Sequence, residues 1–338
     1  MSDMDHATVD PAVLEAFQLF FDGTPVFAEL IDTSRESSDF RNTVIVTTME
    51  GEKYVLKFAS NDFTFPEKMR MWQRTVEEYR QLGYYCPRIF CDKNGDFPSF
   101  VFHGHDCFVH AEEFSKYRPL EIRISADEKK MTEGYHQYLK DIWMMTAKIA
   151  AKKLDYTSYP SGYCIFETFC PSDEVDEVLE NALKWKKLAD SLPEEFSSQV
   201  QRIWQLWNRN REALKKIYSK LPTSVFQADL NATNLLIDDN GLFKGVYDFN
   251  LCGKDVFLNY LMHQNESEMI PKVLKIASEC YHFSEEEKQA ALPLYRYLKT
   301  LWRYELKDAG HNGKAIKRYL DRTEAILTED MDFARYMR

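Results

Sequence analysis

The apolar period of the chain changes near residue 113, and this change limits the fold more than any other feature. Before it, Thr43-Val44-Ile45-Val46-Thr47 and Lys53-Tyr54-Val55-Leu56-Lys57-Phe58 are rich in β-branched and aromatic residues. Joined by Met49-Glu50-Gly51-Glu52, they read as a hairpin. After it, apolar residues recur at helical spacing over 131–154, 174–190, 194–220, 266–280, 284–308 and 312–326. One segment breaks that run: residues 224–250 hold two short apolar strands around Asp239-Asn240-Gly241. The pattern predicts an α+β protein with two lobes. Residues 1–113 form a small antiparallel β-rich lobe and residues 114–338 a larger, mainly helical one, hinged at Glu112-Glu113-Phe114-Ser115. A length of 338 residues suits two separate cores.

Within the first lobe, Asp10 and Pro11 open a helix that runs through Phe20, the aspartate as cap and the proline at the first helical position. Pro66 opens a second, with Trp72, Val76, Tyr79 and Gly83 on one face. Short β runs follow at 88–90, 99–102 and 107–111. The order is helix, two strands, helix, three strands.

Composition excludes several classes. A net charge of −11 argues against a nucleic-acid partner, because phosphate binding draws on clustered Lys and Arg. The acidity is uneven. Residues 1–115 hold 20 acids and 10 bases, a net of −10, whereas residues 116–338 hold 34 and 33, a net of −1. No apolar stretch has a membrane-spanning length, and the start MSDMDHATVD is acidic, so a cytoplasmic location is expected. The seven cysteines contain no CxxC and suit reduced, mostly buried thiols. His103, His105 and His110 lie near a strand turn without the carboxylate or Cys spacing of a metal site. No nucleophile elbow, GxxxxGK[ST] or GxGxxG occurs, so hydrolase, P-loop and Rossmann readings have no support.

The lone hairpin carries the chemistry. Paired positions in an antiparallel hairpin have a constant sum, and a turn at Asn240-Gly241 places Asn234 opposite Tyr247, hence beside Asp248. Asp229 stands five residues before Asn234. Phosphoryl transfer from ATP needs oxygen ligands for Mg2+ and a carboxylate that accepts the acceptor hydroxyl's proton. Asp229 suits the base, and Asn234 and Asp248 the metal. Taken alone, an Asp and an Asn at this spacing are also ordinary turn and cap residues. The conjunction with a β-rich lobe carrying a strand lysine raises the reading above that one.

Residues 226–250 resemble the HGDLHPGNLL…GVIDFG pattern of the aminoglycoside phosphotransferase and choline kinase-like superfamily, which has a two-lobed protein-kinase-like fold. Further matches run in order along most of 10–265: the first helix, the hairpin ending Tyr54-Val55-Leu56-Lys57, Pro87-Arg88-Ile89, and the loop after Asp248. The resemblance implies an ATP-dependent small-molecule kinase that transfers the γ-phosphate to a hydroxyl acceptor. It assigns Lys57 to the α/β-phosphates, the Ser34–Asn42 segment with Ser37 and Ser38 to the phosphate cover, and the backbone of Glu112, Glu113 and Phe114 to adenine.

The chain departs from the family at several positions. Gln227 and Ala228 replace the usual His and Gly, and the cover segment contains no glycine. The helix acid that pairs with the strand lysine falls on Gln73, with Glu77 and Glu67 as substitutes. A second Asp of the family falls on Asn259, with Asp255 just before it and given no catalytic role. These departures define the alternative, a nucleotide-binding pseudokinase or partner-binding module. The acceptor and the oligomeric state have no signature in the sequence.

Overall fold

The computed structural model describes residues 9–35, 39–123, 129–131, 134–310 and 312–338. It packs as two compact units: residues 1–136 with 170–172 and 229–252, and residues 137–169 with 173–228 and 253–338.

The first unit begins with α1 (Pro11–Phe20), where Asp10 Oδ1 accepts from Ala12 N at 2.8 Å, as the Asp-Pro start predicts. Then come β1 (Pro25–Asp32), β2 (Phe40–Thr48), β3 (Lys53–Ser60), α2 (Pro66–Gln81), β4 (Ile89–Phe90), β5 (Ser99–Phe102) and β6 (His105–Glu113). The sheet order is β1-β2-β3-β6-β4, with β5 also on β6, and every pair is antiparallel. Strand β1 was not expected. It is an edge strand whose Val26, Phe27 and Leu30 are exposed, so it lacks the buried alternation by which strands are read. Leu56 and Phe58 face a core shared with Val13, Phe17 and Phe20 of α1 and Val109 and Ala111 of β6. Lys57, between them, points to the opposite face.

Past β6 come the short strands β7 (Arg118–Pro119), β8 (Glu121–Arg123) and β9 (Lys129–Met131), β8 pairing with β9. Where a helix over 131–154 was expected, β9 ends at Met131 and α3 (Leu139–Ala151) begins only after a 3-10 turn at 135–138. Helices α4 (Glu177–Ala189) and α5 (Ser197–Tyr218) and strand β10 (Thr223–Phe226) follow in the second unit.

The chain then returns to the first unit with β11 (Leu235–Ile237) and β12 (Phe243–Val246). Leu235 pairs with Val246 and Tyr247 N donates to Asn234 O at 3.1 Å, the register the constant-sum argument expects. Asp238 Oδ1 ties the turn by accepting from Asn240 N at 3.0 Å and Leu242 N at 2.9 Å. Strand β11 also pairs with β7. A parallel bridge joins Gly245 to Tyr85 so closely that a Cβ on Gly245 would lie 1.8 Å from Tyr85 O.

The second unit resumes with β13 (Gly253–Val256), which pairs with β10, and α6 (Phe257–Gln264), α7 (Ile270–Ala277), α8 (Glu285–Leu298), α9 (Arg303–Asp308) and α10 (Gly313–Thr328). Helix α6 was missed because Phe257 through Met262 are all buried, leaving no polar stripe to mark a period. The predicted helix 284–308 is two helices. Leu301 has a left-handed φ of 60° and Trp302 is extended, while Thr300 Oγ1 and Trp302 Nε1 donate to carbonyls that the end of α8 leaves open. No helix among the described residues is long and apolar enough to cross a membrane.

Candidate active site

Lys57 is the centre of a charged cluster within the first unit. Its Nζ lies 3.1 Å from Asp248 Oδ1 and 3.1 Å from Glu112 Oε1. The side chain keeps 20% of its exposure and Glu112 only 8%. His110 Nε2 stands 3.1 Å from the same Glu112 oxygen. Burial opposes the charge on Lys57, but Asp248 and Glu112 outweigh it and raise the ammonium above its usual range. Burial also works against the Glu112 carboxylate, yet Lys57 and His110 hold it down at about 2.

Asp248 reaches this cluster through an unusual backbone. It has φ 61° and ψ 68°, a left-handed conformation costing a non-glycine residue about 1–3 kcal/mol. The following 3-10 turn, 249–251, anchors it: Phe249 is buried edge-on against Tyr79 of α2 at 5.4 Å between centroids, and Cys252 Sγ lies 3.8 Å from Thr75 Oγ1. Packing on α2 therefore holds the strained residue in place.

Asp229 and Asn234 form the other half of the site. Asn234 Nδ2 donates to Asp229 O at 2.9 Å and to Asp229 Oδ2 at 3.0 Å. Asn231 Nδ2 donates to Asp229 Oδ1 at 2.7 Å, and its own Oδ1 caps the 3-10 turn 232–234 by accepting from Thr233 N at 3.0 Å. Both carboxylate oxygens of Asp229 are thus oriented by amides. Tyr135 donates its hydroxyl to Leu230 O at 2.8 Å, pinning the residue after Asp229. Burial, then the Asp229 charge, pushes the Tyr135 phenol up to about 12. Burial and Asp248 do the same for Tyr247.

The amide orientation bears on a cation. Asn234 turns Nδ2 toward Asp229, and its Oδ1, which accepts from Thr233 Oγ1 at 3.3 Å, keeps a second lone pair for a ligand, while Asp248 adds a carboxylate with 36% side-chain exposure. An all-oxygen pair suits a hard ion such as Mg2+. Among the described residues no group of three or more His, Cys, Asp or Glu could hold a metal. A cation here would have two protein ligands, as Mg2+ has when phosphate oxygens and water complete its shell.

The remaining expected residues fall in different places. Ser37 and Ser38 lie outside the described residues. Glu113 closes β6 with its N–H donating to Arg88 O at 2.9 Å, and its carboxylate accepts from Tyr85 OH at 3.1 Å. Phe114 is exposed, with Lys53 Nζ over its ring at 5.2 Å. Gln73 donates its Nε2 to Ile89 O at 2.9 Å. Glu77 pairs with Arg88 at 3.7 Å. Asp255, in the second unit, is buried and accepts from Ser161 Oγ at 2.6 Å, Tyr218 OH at 3.1 Å and Asn259 Nδ2 at 3.1 Å. The side-chain contacts of Glu112, His110, Asn231 and Tyr135 have no local signature in the sequence. The first two were legible only through the β3–β6 register, which pairs Lys57 with His110 and Val55 with Glu112.

An antiparallel N-terminal sheet followed by a mainly helical C-terminal region, with a hairpin between helices, defines the protein-kinase-like fold in its small-molecule phosphotransferase form. The chain belongs to the phosphotransferase enzyme family, APH, whose sequence pattern matches residues 33–259. No curated protein matches it by sequence. Among solved structures, a microcompartment-associated aminopropanol kinase is similar at a TM-score of 0.56 and 14% identity, covering 93% of this chain and 94% of the other. An aminoglycoside phosphotransferase from Alicyclobacillus acidocaldarius gives 0.52 and 11%, covering 99% and 96%. The amicoumacin kinase hAmiN, in complex with AMP-PNP, Ca2+ and Ami, gives 0.51 and 14%, covering 96% of each. At these identities the likeness concerns the fold.

Proposed function

We propose that the chain is an ATP-dependent small-molecule kinase that moves the γ-phosphate of ATP to a hydroxyl acceptor. The observation that carries the proposal is the 3.1 Å contact of Lys57 Nζ with Asp248 Oδ1, in a unit that also holds the Asp229–Asn234 pair. An ammonium beside two carboxylates is positioned to neutralise phosphate oxygens, and with three N–H donors and two carboxylate partners it keeps one for them.

Asp229 acts as the base. Held by Asn231 and Asn234, its carboxylate takes the acceptor hydroxyl's proton and aims the oxygen for in-line attack on the γ-phosphorus. Asn234 Oδ1 and Asp248 hold Mg2+, which when bound supplies charge neutralisation on the β- and γ-phosphate oxygens. Lys57 binds the α/β-phosphates. Ser37 and Ser38 belong to the phosphate cover, and adenine is received by the chain at Glu113 and Phe114, since Glu112 is paired on both sides, with Val55 and Ile89, inside the sheet. On this reading residues 1–113 serve the nucleotide, and 114–338 supply the hairpin and the acceptor cleft.

An aminopropanol kinase and an aminoglycoside phosphotransferase share this fold, and their namesake compounds carry both an amine and a hydroxyl, so amino alcohols and aminosugars form the first panel to test. Incubation with γ-labelled ATP, Mg2+ and this panel, read by mass spectrometry, is expected to yield one phosphorylated class of product. ATP binding without turnover on any acceptor or on water would instead support a nucleotide-binding pseudokinase, the reading to which Gln73, Gln227 and Ala228 point.

A further inference from the structure

Two side chains of β6 lie on the same sheet face as Lys57. Antiparallel pairing sets Lys57 against His110 and Val55 against Glu112, so Glu112 is the diagonal neighbour of Lys57, within reach of a long side chain. Among the described residues the hydrogen-bond and ion-pair partners of Lys57 are Asp248 and Glu112, neither of them on helix α2. Gln73 spends its amide on Ile89 O, and Glu77 faces Arg88 with 49% of its side chain exposed. The acid that meets the lysine comes from the sheet.

From this arrangement we infer that Glu112 is the positioning residue of Lys57, holding its ammonium at the nucleotide phosphates in place of a helix acid, with His110 as the donor that orients the carboxylate. The inference rests on the ATP reading above.

A buried carboxylate without partners is costly, and Glu112, 6% exposed as a residue, is satisfied by two donors on one oxygen. His110 Nε2 must carry the proton in its contact with a carboxylate. Its Nδ1 has no hydrogen-bond partner among the described residues, so the ring serves as a one-sided donor. The imidazole is fixed by edge contacts with Trp72 at 6.1 Å and Phe97 at 6.5 Å between centroids. Aromatic packing sets the ring, the ring sets the carboxylate, and the carboxylate sets the lysine. Lys57 is then held by two neighbouring strands of one sheet, so its geometry does not depend on an acid carried by α2.

The test compares affinity for ATP with Mg2+ and for adenosine, measured by titration calorimetry on the full chain. Glu112→Gln, which preserves volume, is expected to weaken ATP by about tenfold and adenosine by less than about twofold, because only phosphates contact Lys57. Glu112→Asp, a carboxylate one methylene shorter, is expected to recover part of the loss and to serve should the Gln variant fail to fold. Lys57→Met is expected to show the same phosphate-selective loss, and the double variant no more than Lys57→Met alone. Gln73→Ala is expected to leave the ATP-to-adenosine ratio unchanged. Equal loss of adenosine and ATP in Glu112→Gln, full additivity with Lys57→Met, or a ratio that shifts with Gln73→Ala would overturn the inference. Wild-type protein that binds adenosine but gains nothing from phosphates would overturn the ATP reading as well.

Discussion

Lys57 and Asp248, 191 residues apart in sequence, meet at 3.1 Å across the sheet and the hairpin. One comes from the second of two β-rich runs, the other from a left-handed turn followed by a residue, Phe249, that packs on Tyr79 of α2. If this pair forms the phosphate site, Lys57→Met should reduce ATP turnover by about 100-fold or more, as loss of a preorganised charge does. The variant should keep its circular dichroism spectrum. Steady-state phosphate release, with folding checked on the same sample, measures both.

Asn234 binds Asp229 through its nitrogen, and its oxygen accepts from the Thr233 hydroxyl at 3.3 Å. Asn234→Asp would place two carboxylates in hydrogen-bond range, a like-charge arrangement that disfavours the ionised base. Turnover should fall by about 100-fold and the Mg2+ concentration for half-maximal rate should rise. Chelation of divalent cations should abolish wild-type turnover. A Mg2+ titration of both proteins checks these outcomes.

Acid should loosen the Lys57 cluster in a defined window. Glu112 sits at about 2 against an ordinary 4.5, so its carboxylate contributes stability that is fully present above about pH 4.5 and is lost as pH falls toward 2. Lys57, raised above 10.5, adds stability that is present below that value and lost only at higher pH. Thermal melting should therefore separate wild type from Glu112→Gln at pH 6–8, and the gap should shrink between pH 4.5 and 2.

Gly245 is required by a close approach of main chains. A Cβ would meet Tyr85 O at 1.8 Å, where a backbone neighbour cannot swing aside, so Gly245→Ala should destabilise the protein by about 3 kcal/mol. Because Tyr85 N donates to Lys244 O at 2.8 Å and Val246 N to Tyr85 O at 3.1 Å, the damage should spread to the hairpin. Denaturant unfolding measures the loss, and turnover should fall with it.

The hairpin was legible from the sequence because its register is local. An Asn-Gly turn fixes the pairing of Leu235 with Val246, and the positions of Asn234 and Asp248 follow from counting. The α+β division was legible because β-branched runs and helical spacing differ in period. Glu112 is given only a backbone role by the sequence, since its side-chain partner depends on pairing between strands some fifty residues apart. Local pattern does not specify such a register. Helix α6 escaped because it is buried all round, and β1 because it is exposed along most of its length. The break at Leu301 depends on one residue's positive φ, which leucine does not advertise.

If Asp229 is the base of an ATP-dependent phosphotransfer site, ATP turnover must differ sharply between wild type and Asp229→Ala. With Mg2+ present and either water or an identified hydroxyl compound as acceptor, wild type should release or transfer phosphate. Asp229→Ala should bind ATP with similar affinity and turn it over about 1000-fold more slowly. Turnover that survives the substitution, or a wild type that neither binds nor turns over ATP, would contradict the account.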